Sequence, residues 1–269
     1  MSDQTDQICD EKIMGLKAGL KKLKTAVVAF SGGVDSAFLL AVAARSGLER
    51  LMAVTVDSAF VTREEIQRAR QTAADLGVVH EVLEVDILSC EKVTVNSPKR
   101  CYHCKTEVFS LIRKKADQAG ISHVLHGVNM DDLSDDRPGL KAARELGFSA
   151  PLLEAGFSKH QIRTCSRQMG LTTWNLPSQS CLATRIPFFD AITKQSLSRI
   201  EKAEQFIRSL GVAQVRVRCH GNLARIETDT ADFEPIVAHR KLISETLKGV
   251  GFKFVSLDLD GYRTGKMSF

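Results

Sequence analysis

Residues 26–44 constrain the fold of this chain more than any other stretch. Ala26-Val27-Val28-Ala29-Phe30 is an apolar run of strand length. Ser31-Gly32-Gly33-Val34-Asp35-Ser36 is a glycine turn, and the next eight residues, from Ala37 to Ala44, are all apolar. That order predicts a buried strand, a tight turn and a helix. The two glycines let backbone N–H groups approach an anion closely, and the helix N-terminus adds the positive end of its dipole. Ser31 and Ser36 add hydroxyl donors. No lysine follows the turn, so this is not the lysine-bearing loop that holds β- and γ-phosphates.

The pattern repeats downstream. Apolar positions Ile13, Leu16, Leu20 and Leu23 have helical spacing, within a helix expected over about 11–24. Leu51–Val56 reads as a strand ending at Asp57-Ser58, and a helix follows to Leu76, stopped by Gly77. His80–Val85 alternates like a strand, a helix is expected over about 103–118, and Val124-Leu125 leads into His126-Gly127. Leu140–Leu146 reads as a helix. Strands and helices in alternation predict an α/β fold with a doubly wound parallel sheet. Ligands of such sheets bind at the carboxyl ends of the strands, where Asp57 and Gly127 join the glycine turn. The Pro-marked loop 177–187 begins a smaller C-terminal α+β domain, so the expected domains are 1–176 and 177–269. The second has a helix over 194–210, a hairpin through Gly221-Asn222, a helix over 233–248 and a last strand over Phe252–Leu259. On Val212–Cys219, Val215 and Val217 share one face and Arg216 and Arg218 the other, as a solvated face or an anion site.

Of 269 residues, 43% are apolar and 26% charged, the balance of a globular protein. The longest apolar runs have about eight residues, well short of the roughly 20 that span a membrane. Residues 1–10 are polar and acidic, without a signal core, so a cytoplasmic protein is expected. The net charge of +5 suits an anionic small molecule as well as a nucleic acid. No block of five Lys/Arg occurs, and aromatics are only 6%, which argues against a nucleic-acid partner.

The seven cysteines are Cys9, Cys90, Cys101, Cys104, Cys165, Cys181 and Cys219. In a cytoplasmic chain they do not read as a disulfide framework. Cys101 and Cys104 form a C-x-x-C in Arg100-Cys101-Tyr102-His103-Cys104-Lys105, and Cys181 is a distant third. Three readings stay open: a zinc site completed by a histidine such as His103, a 4Fe–4S cluster with one iron lacking a protein ligand, and half-buried thiols. Cys9, in a terminus expected to be mobile, and Cys90, Cys165 and Cys219 lack metal spacing and read as packed or incidental thiols.

The hexapeptide SGGVDS resembles the PP-loop of ATP pyrophosphatases, which cut ATP between its α- and β-phosphates and adenylate a substrate. Three further segments make the resemblance narrower: RCYHCK, SQSCLATRIP, and VRVRCH with ARIE. With Leu125-His126-Gly127, Arg137-Pro138-Gly139-Leu140-Lys141, Trp174-Asn175 and the ending DLDGYRTG, the chain resembles the LarE family of pyridinium-dicarboxylate nucleotide sulfurtransferases. Family members adenylate a carboxylate of pyridinium-3,5-biscarboxylic acid mononucleotide and replace it with a thiocarboxylate, on the way to the nickel-pincer nucleotide cofactor of lactate racemase.

The resemblance implies roles for particular residues. Ser31, Gly32, Gly33, Asp35, Ser36, Asp57 and Gly127 would bind ATP, with Mg²⁺ across the phosphates and Asp35 acting through the metal or as a helix-capping carboxylate. Arg185, Arg216 and Arg218 would bind the substrate phosphate. Lys105 or Arg185 would stabilise the oxyanion. One branch of the family sacrifices the cysteine matching Cys181. The other has cysteines matching Cys101 and Cys104 as well and uses a 4Fe–4S cluster. This chain has all three, which places it with the cluster type and makes Cys181 a ligand. Glu204 and Glu227 match acidic positions near the substrate site; His103, His126 and Trp174 receive no catalytic role. The expected partners are a small nucleotide substrate and further copies of the chain in a homo-oligomer, with no nucleic acid or membrane. The competing expectations are a PP-loop tRNA thiolase, an amide-forming PP-loop synthetase and a non-catalytic nucleotide-binding module with zinc.

Overall fold

A computed structural model of the chain describes residues 2–133, 138–177 and 179–263, with the backbone alone for 2–8. Arg137, Ser178, Thr264 and Gly265, which belong to the motifs above, lie outside the described residues. The elements run α1 (Ser2–Lys21), β1 (Thr25–Ala29), α2 (Val34–Ala44), β2 (Arg50–Asp57), α3 (Arg63–Asp75), β3 (Val79–Glu84), α4 (Glu91–Thr94), α5 (Arg100–Gln118), β4 (Val124–His126), α6 (Pro138–Glu145), β5 (Phe148–Ser149), α7 (Pro151–Glu154), α8 (Lys159–Gln168), α9 (Lys194–Ser209), β6 (Val215–His220), β7 (Leu223–Thr228), α10 (Phe233–Ala238), α11 (Arg240–Gly249) and β8 (Phe254–Leu257). The chain divides into two compact units. One comprises residues 1–58, 63–85 and 101–179, the other 59–62, 86–100 and 180–269.

In the first unit five parallel strands lie in the order β3-β2-β1-β4-β5. The alternation of β1 explains the layers. Ala26 and Val28 join a core with Ile13, Leu16 and Leu20 of α1, the apolar residues of α2, and Ile162 and Cys165 of α8. Val27 points the other way, to Phe109, Ile112 and Ala116 of α5 and Ala142 and Ala143 of α6. Helices on both faces make the sheet doubly wound. Nearly every side chain of α2 is buried, as its apolar run from Ala37 onward requires. Because β2 and β4 flank β1, the strand order reverses at β1, and its carboxyl end opens where a doubly wound sheet binds its ligand.

The second unit has a three-stranded sheet in the order β6-β7-β8. β6 and β7 form the expected antiparallel hairpin, turning at Gly221 with a φ of 59°, and β8 runs parallel to β7. The apolar side of α9, with Leu197, Ile200, Ala203 and Ile207, is buried.

Several expectations need correction. The N-terminal helix starts at Ser2, and the polar residues before Ile13 belong to it. Cys9 is 3% exposed and joined to Cys165 in a disulfide, so neither is an incidental thiol. Packing of α1 and α8 into one core brings their Cα atoms to 5.8 Å. The helix expected over 103–118 begins at Arg100, which places the C-x-x-C within its first two turns. The helix expected over 233–248 breaks at His239, whose ring bonds the Pro235 carbonyl at 2.9 Å. Among the described residues no helix is long and apolar enough to cross a membrane.

Candidate functional site

In the first unit the glycine turn runs from the end of β1 into α2. Ser36 Oγ donates to the Gly33 carbonyl at 3.2 Å and accepts the Ser31 N–H at 3.3 Å, while the two serine hydroxyls lie 3.1 Å apart. These bonds close the turn around the first N–H groups of α2. Gly33 stands at the N-cap without any side-chain cap, so the helix end offers its N–H groups outward. Gly32 has a φ of 70°, and a Cβ there would come within 3.0 Å of Ala69 on α3. Gly127, just after β4, lies even closer: a Cβ would sit 2.9 Å from Ser36 N and 3.0 Å from Asp35 C. Both glycines are fixed by close approach, Gly32 to α3 and Gly127 to the backbone at the start of α2.

Asp35 sits in the first turn of α2. One carboxylate oxygen pairs with Lys159 Nζ at the start of α8; the other, Oδ1, is buried and has no hydrogen-bond partner among the described residues. A buried carboxylate oxygen beside a phosphate cradle is a donor suited to a hard cation such as Mg²⁺. Asp57, at the end of β2, is paired with Arg63 at the start of α3. Arg68 on α3 donates to the Gly32 carbonyl at 3.3 Å and to Gln179 at 3.0 Å. Lys159, Arg63 and Arg68 are cations around the cradle that sequence reasoning missed. Lys159 is 124 residues from Asp35, and no motif links them.

Lys105 lies on α5 with its ammonium 5.1 Å from the Phe109 ring. His126 packs edge-on against both Phe109 and Phe148. Burial, with Lys105 nearby, pushes its imidazole down to about 4, so it is neutral at pH 7. Cys101 and Cys104 are one helical turn apart at the start of α5, on one face, the first exposed and the second half-buried; neither is in a disulfide. His103 packs its ring on Tyr102.

The second unit holds Cys181, half-buried at the N-cap of the 3-10 turn Leu182–Arg185. Arg185 and Glu204 are both buried and pair bidentately, Nε to Oε1 at 2.9 Å and Nη2 to Oε2 at 3.1 Å. The remaining nitrogen of Arg185 donates to the Ser180 carbonyl at 2.6 Å and the Cys181 carbonyl at 3.0 Å. Arg218 pairs with buried Glu227 at 2.7 Å and donates to the Thr184 carbonyl at 2.9 Å. Arg216 lies over the Tyr262 ring at 5.3 Å and donates to the Val215 carbonyl. Both faces of β6 are therefore buried, and its arginine face is not solvated. Burial opposes ionisation of Glu204, but the Arg185 and Arg216 guanidiniums and the bonds from Arg185 and Val217 hold its carboxyl below the usual range. Burial and the Arg185 charge push the Arg216 guanidinium down. Among the described residues, the buried charges on β6, β7, α9 and the Leu182–Arg185 turn are Arg185, Arg216 and Arg218 against Glu204 and Glu227. Such a surplus of buried positive charge suits an anion. Trp174, in the first unit, is a packing residue under Arg167.

Cys101 and Cys104 belong to one unit and Cys181 to the other. Among the described residues no cluster of three or more metal-ligating side chains is assembled.

The family described as Queuosine biosynthesis protein QueC matches residues 25–98, which span the glycine turn and the strands β1, β2 and β3. The chain is 37% identical over 261 residues to an uncharacterized protein of Synechocystis, covering 96% of this chain and 97% of that one. It is 35% identical over 254 residues to the pyridinium-3,5-bisthiocarboxylic acid mononucleotide synthase of Lactiplantibacillus plantarum, covering 94% and 92%. A tRNA-specific 2-thiouridylase of Sphingopyxis alaskensis is 28% identical over 57% of this chain and 50% of its own.

Proposed function

The chain belongs to the family of pyridinium-3,5-bisthiocarboxylic acid mononucleotide synthases, ATP-dependent sulfurtransferases with a PP-loop, and we propose that it turns a carboxylate of pyridinium-3,5-biscarboxylic acid mononucleotide into a thiocarboxylate. The product would feed nickel-pincer nucleotide assembly. One observation carries the choice of substrate beyond the family: the buried surplus of arginines in the second unit, which suits a phosphorylated acceptor.

In this reading Ser31, Gly32, Gly33 and Ser36 cradle the pyrophosphate end of ATP, with Asp57 and Gly127 beside them. Asp35 would hold Mg²⁺ through Oδ1. A substrate carboxylate oxygen attacks the α-phosphorus, the bond to the β-phosphate breaks, and pyrophosphate leaves. The acyl-adenylate now has a good leaving group. Sulfur adds to its carbonyl carbon, the C–O bond breaks, and AMP departs. Lys105 or Arg185 stabilises the oxyanion of that step. Arg216 and Arg218, with Arg185 beside them, neutralise the substrate phosphate. The PP-loop unit performs activation and the C-terminal domain binds substrate and builds a homo-oligomer.

Cys101, Cys104 and Cys181 are the residues to hold a 4Fe–4S cluster, and three thiolates are a donor set that fits one. Bound there, a cluster with an open iron would supply the sulfide. The alternative source is the Cys181 sulfur itself. Anaerobic purification with iron and sulfide analysis separates the two. A brown protein whose chain mass survives turnover supports the cluster. A colourless protein after anaerobic reconstitution overturns it, and loss of one H₂S from the chain per turnover assigns the sulfur to Cys181. Tight tRNA binding with a steep salt dependence would favour a tRNA thiolase instead.

A further inference from the structure

Asn96 and Arg100 take no part in the chemistry above, but both are built into the turn that carries Cys181. All the residues concerned lie in the second unit. Asn96 is 0% exposed and has a φ of 55°, a left-handed conformation uncommon outside glycine. Its amide reaches three carbonyls of one segment: Ile186 at 3.3 Å, Pro187 at 2.6 Å and Asp190 at 3.1 Å. Its backbone carbonyl accepts the Phe189 N–H at 3.0 Å, and its Oδ1 accepts from Arg100. Arg100, 3% exposed, donates onward to the Ala183 carbonyl at 3.0 Å and lies over the Phe188 ring at 5.7 Å.

This clasp has a counterpart on the other side of the turn. Arg185 holds the carbonyls of Ser180 and Cys181, and Arg218 holds that of Thr184. Consecutive carbonyls of an irregular segment would ordinarily bond to water. Here they bond to buried side chains, each anchored in turn on Asn96, Glu204 or Glu227. A residue held in a sparsely populated conformation persists only where its surroundings over-determine it, and such strain collects at functional sites. Asn96 meets that description, and what it fixes is the run that follows Cys181.

We propose that Asn96 and Arg100 are positioning residues for sulfur transfer: they hold the Cys181 turn so that its sulfur chemistry meets the acyl-adenylate, and they leave adenylation alone. The proposal rests on the reading that Cys181 handles the sulfur. Two variants of the full chain test it. Asn96→Gly tolerates the positive φ and removes only the amide. Arg100→Lys keeps the charge and loses Nη1, the one nitrogen that reaches both acceptors.

Hydrogen exchange is the first readout and needs no ligand. Amides of 182–189 should exchange about tenfold faster or more in both variants, with α2 unchanged. Unchanged exchange at 182–189, or equal acceleration in α2, overturns the clasp. The second readout uses ATP and pyridinium-3,5-biscarboxylic acid mononucleotide. Pyrophosphate release should stay within about twofold of the parent while thiocarboxylate formed per pyrophosphate falls about tenfold or more. A parallel loss of both, or an unchanged ratio, overturns the positioning role. If the parent chain releases no pyrophosphate with this substrate, the proposed function fails, and the exchange experiment alone decides the clasp.

Discussion

At the scale of single residues, the PP-loop depends on what two glycines leave out. A methyl group at Gly127 would sit 2.9 Å from Ser36 N, and backbone cannot give way as a side-chain tip can. Gly127→Ala should therefore displace the start of α2 and lower kcat/KM for pyrophosphate release by about 100-fold, since small misplacements near a reacting centre cost that much. Steady-state assay of pyrophosphate checks it, with ATP alone as control. Gly32→Ala adds a strained φ to a 3.0 Å approach to Ala69 and should cost about 1–3 kcal/mol in a urea melt. The Arg185–Glu204 pair is a different case. Glu204→Gln removes one charge of a buried pair and should destabilise by about 3–5 kcal/mol. Gly32 was legible because its hexapeptide is contiguous with apolar flanks, and Gly127 because it follows a strand end. Lys159 on Asp35 and Arg100 on Ala183 were not, because each pair is made by packing of segments far apart in the chain.

At the scale of elements, α1 was the least legible. The first ten residues are polar, and helical periodicity became visible only from Ile13. Their helicity comes from tertiary packing, which buries Cys9 and ties Lys12 to the Gly156 carbonyl at 2.7 Å and to Gln161 at 3.0 Å. The end of α8 nearest the PP-loop carries Lys159, the partner of Asp35. The Cys9–Cys165 bond closes a long loop, so it should stabilise the oxidised chain by about 2–4 kcal/mol. Denaturant melts with and without dithiothreitol measure this, and Cys165→Ala should remove the difference. The strands and α2 were legible because buried parallel strands are continuous apolar runs. The break at His239 was not, since it depends on a ring-to-carbonyl bond that spacing does not encode.

At the scale of the whole molecule, three histidines make stability depend on pH in one direction. Burial lowers His126, His80 and His220, helped by Lys105, Arg70 and Arg225 respectively. Each is neutral in the folded chain where its unfolded counterpart already binds a proton. Their contribution is complete above about 6.5 and is lost as pH falls below it, down to about 4 for His126. His126 alone accounts for up to about 3 kcal/mol of that loss. Melts from pH 7.5 to 4.5 should show a shallower decline for His126→Gln. The doubly wound parallel sheet and the smaller α+β domain were legible as classes of fold. The placing of the buried arginines was not, because alternation on β6 cannot tell a solvated face from one covered by other elements.

The central claim is that ATP activates a substrate carboxylate at the α-phosphate so that sulfur can replace oxygen. The most direct measurement uses pyridinium-3,5-biscarboxylic acid mononucleotide with isotopically heavy carboxylate oxygens, followed by mass spectrometry of the released AMP. Attack by the carboxylate predicts AMP carrying one heavy oxygen, with one pyrophosphate and one thiocarboxylate formed alongside. Thiocarboxylate formed with unlabelled AMP, or with ADP and phosphate in place of AMP and pyrophosphate, would contradict it.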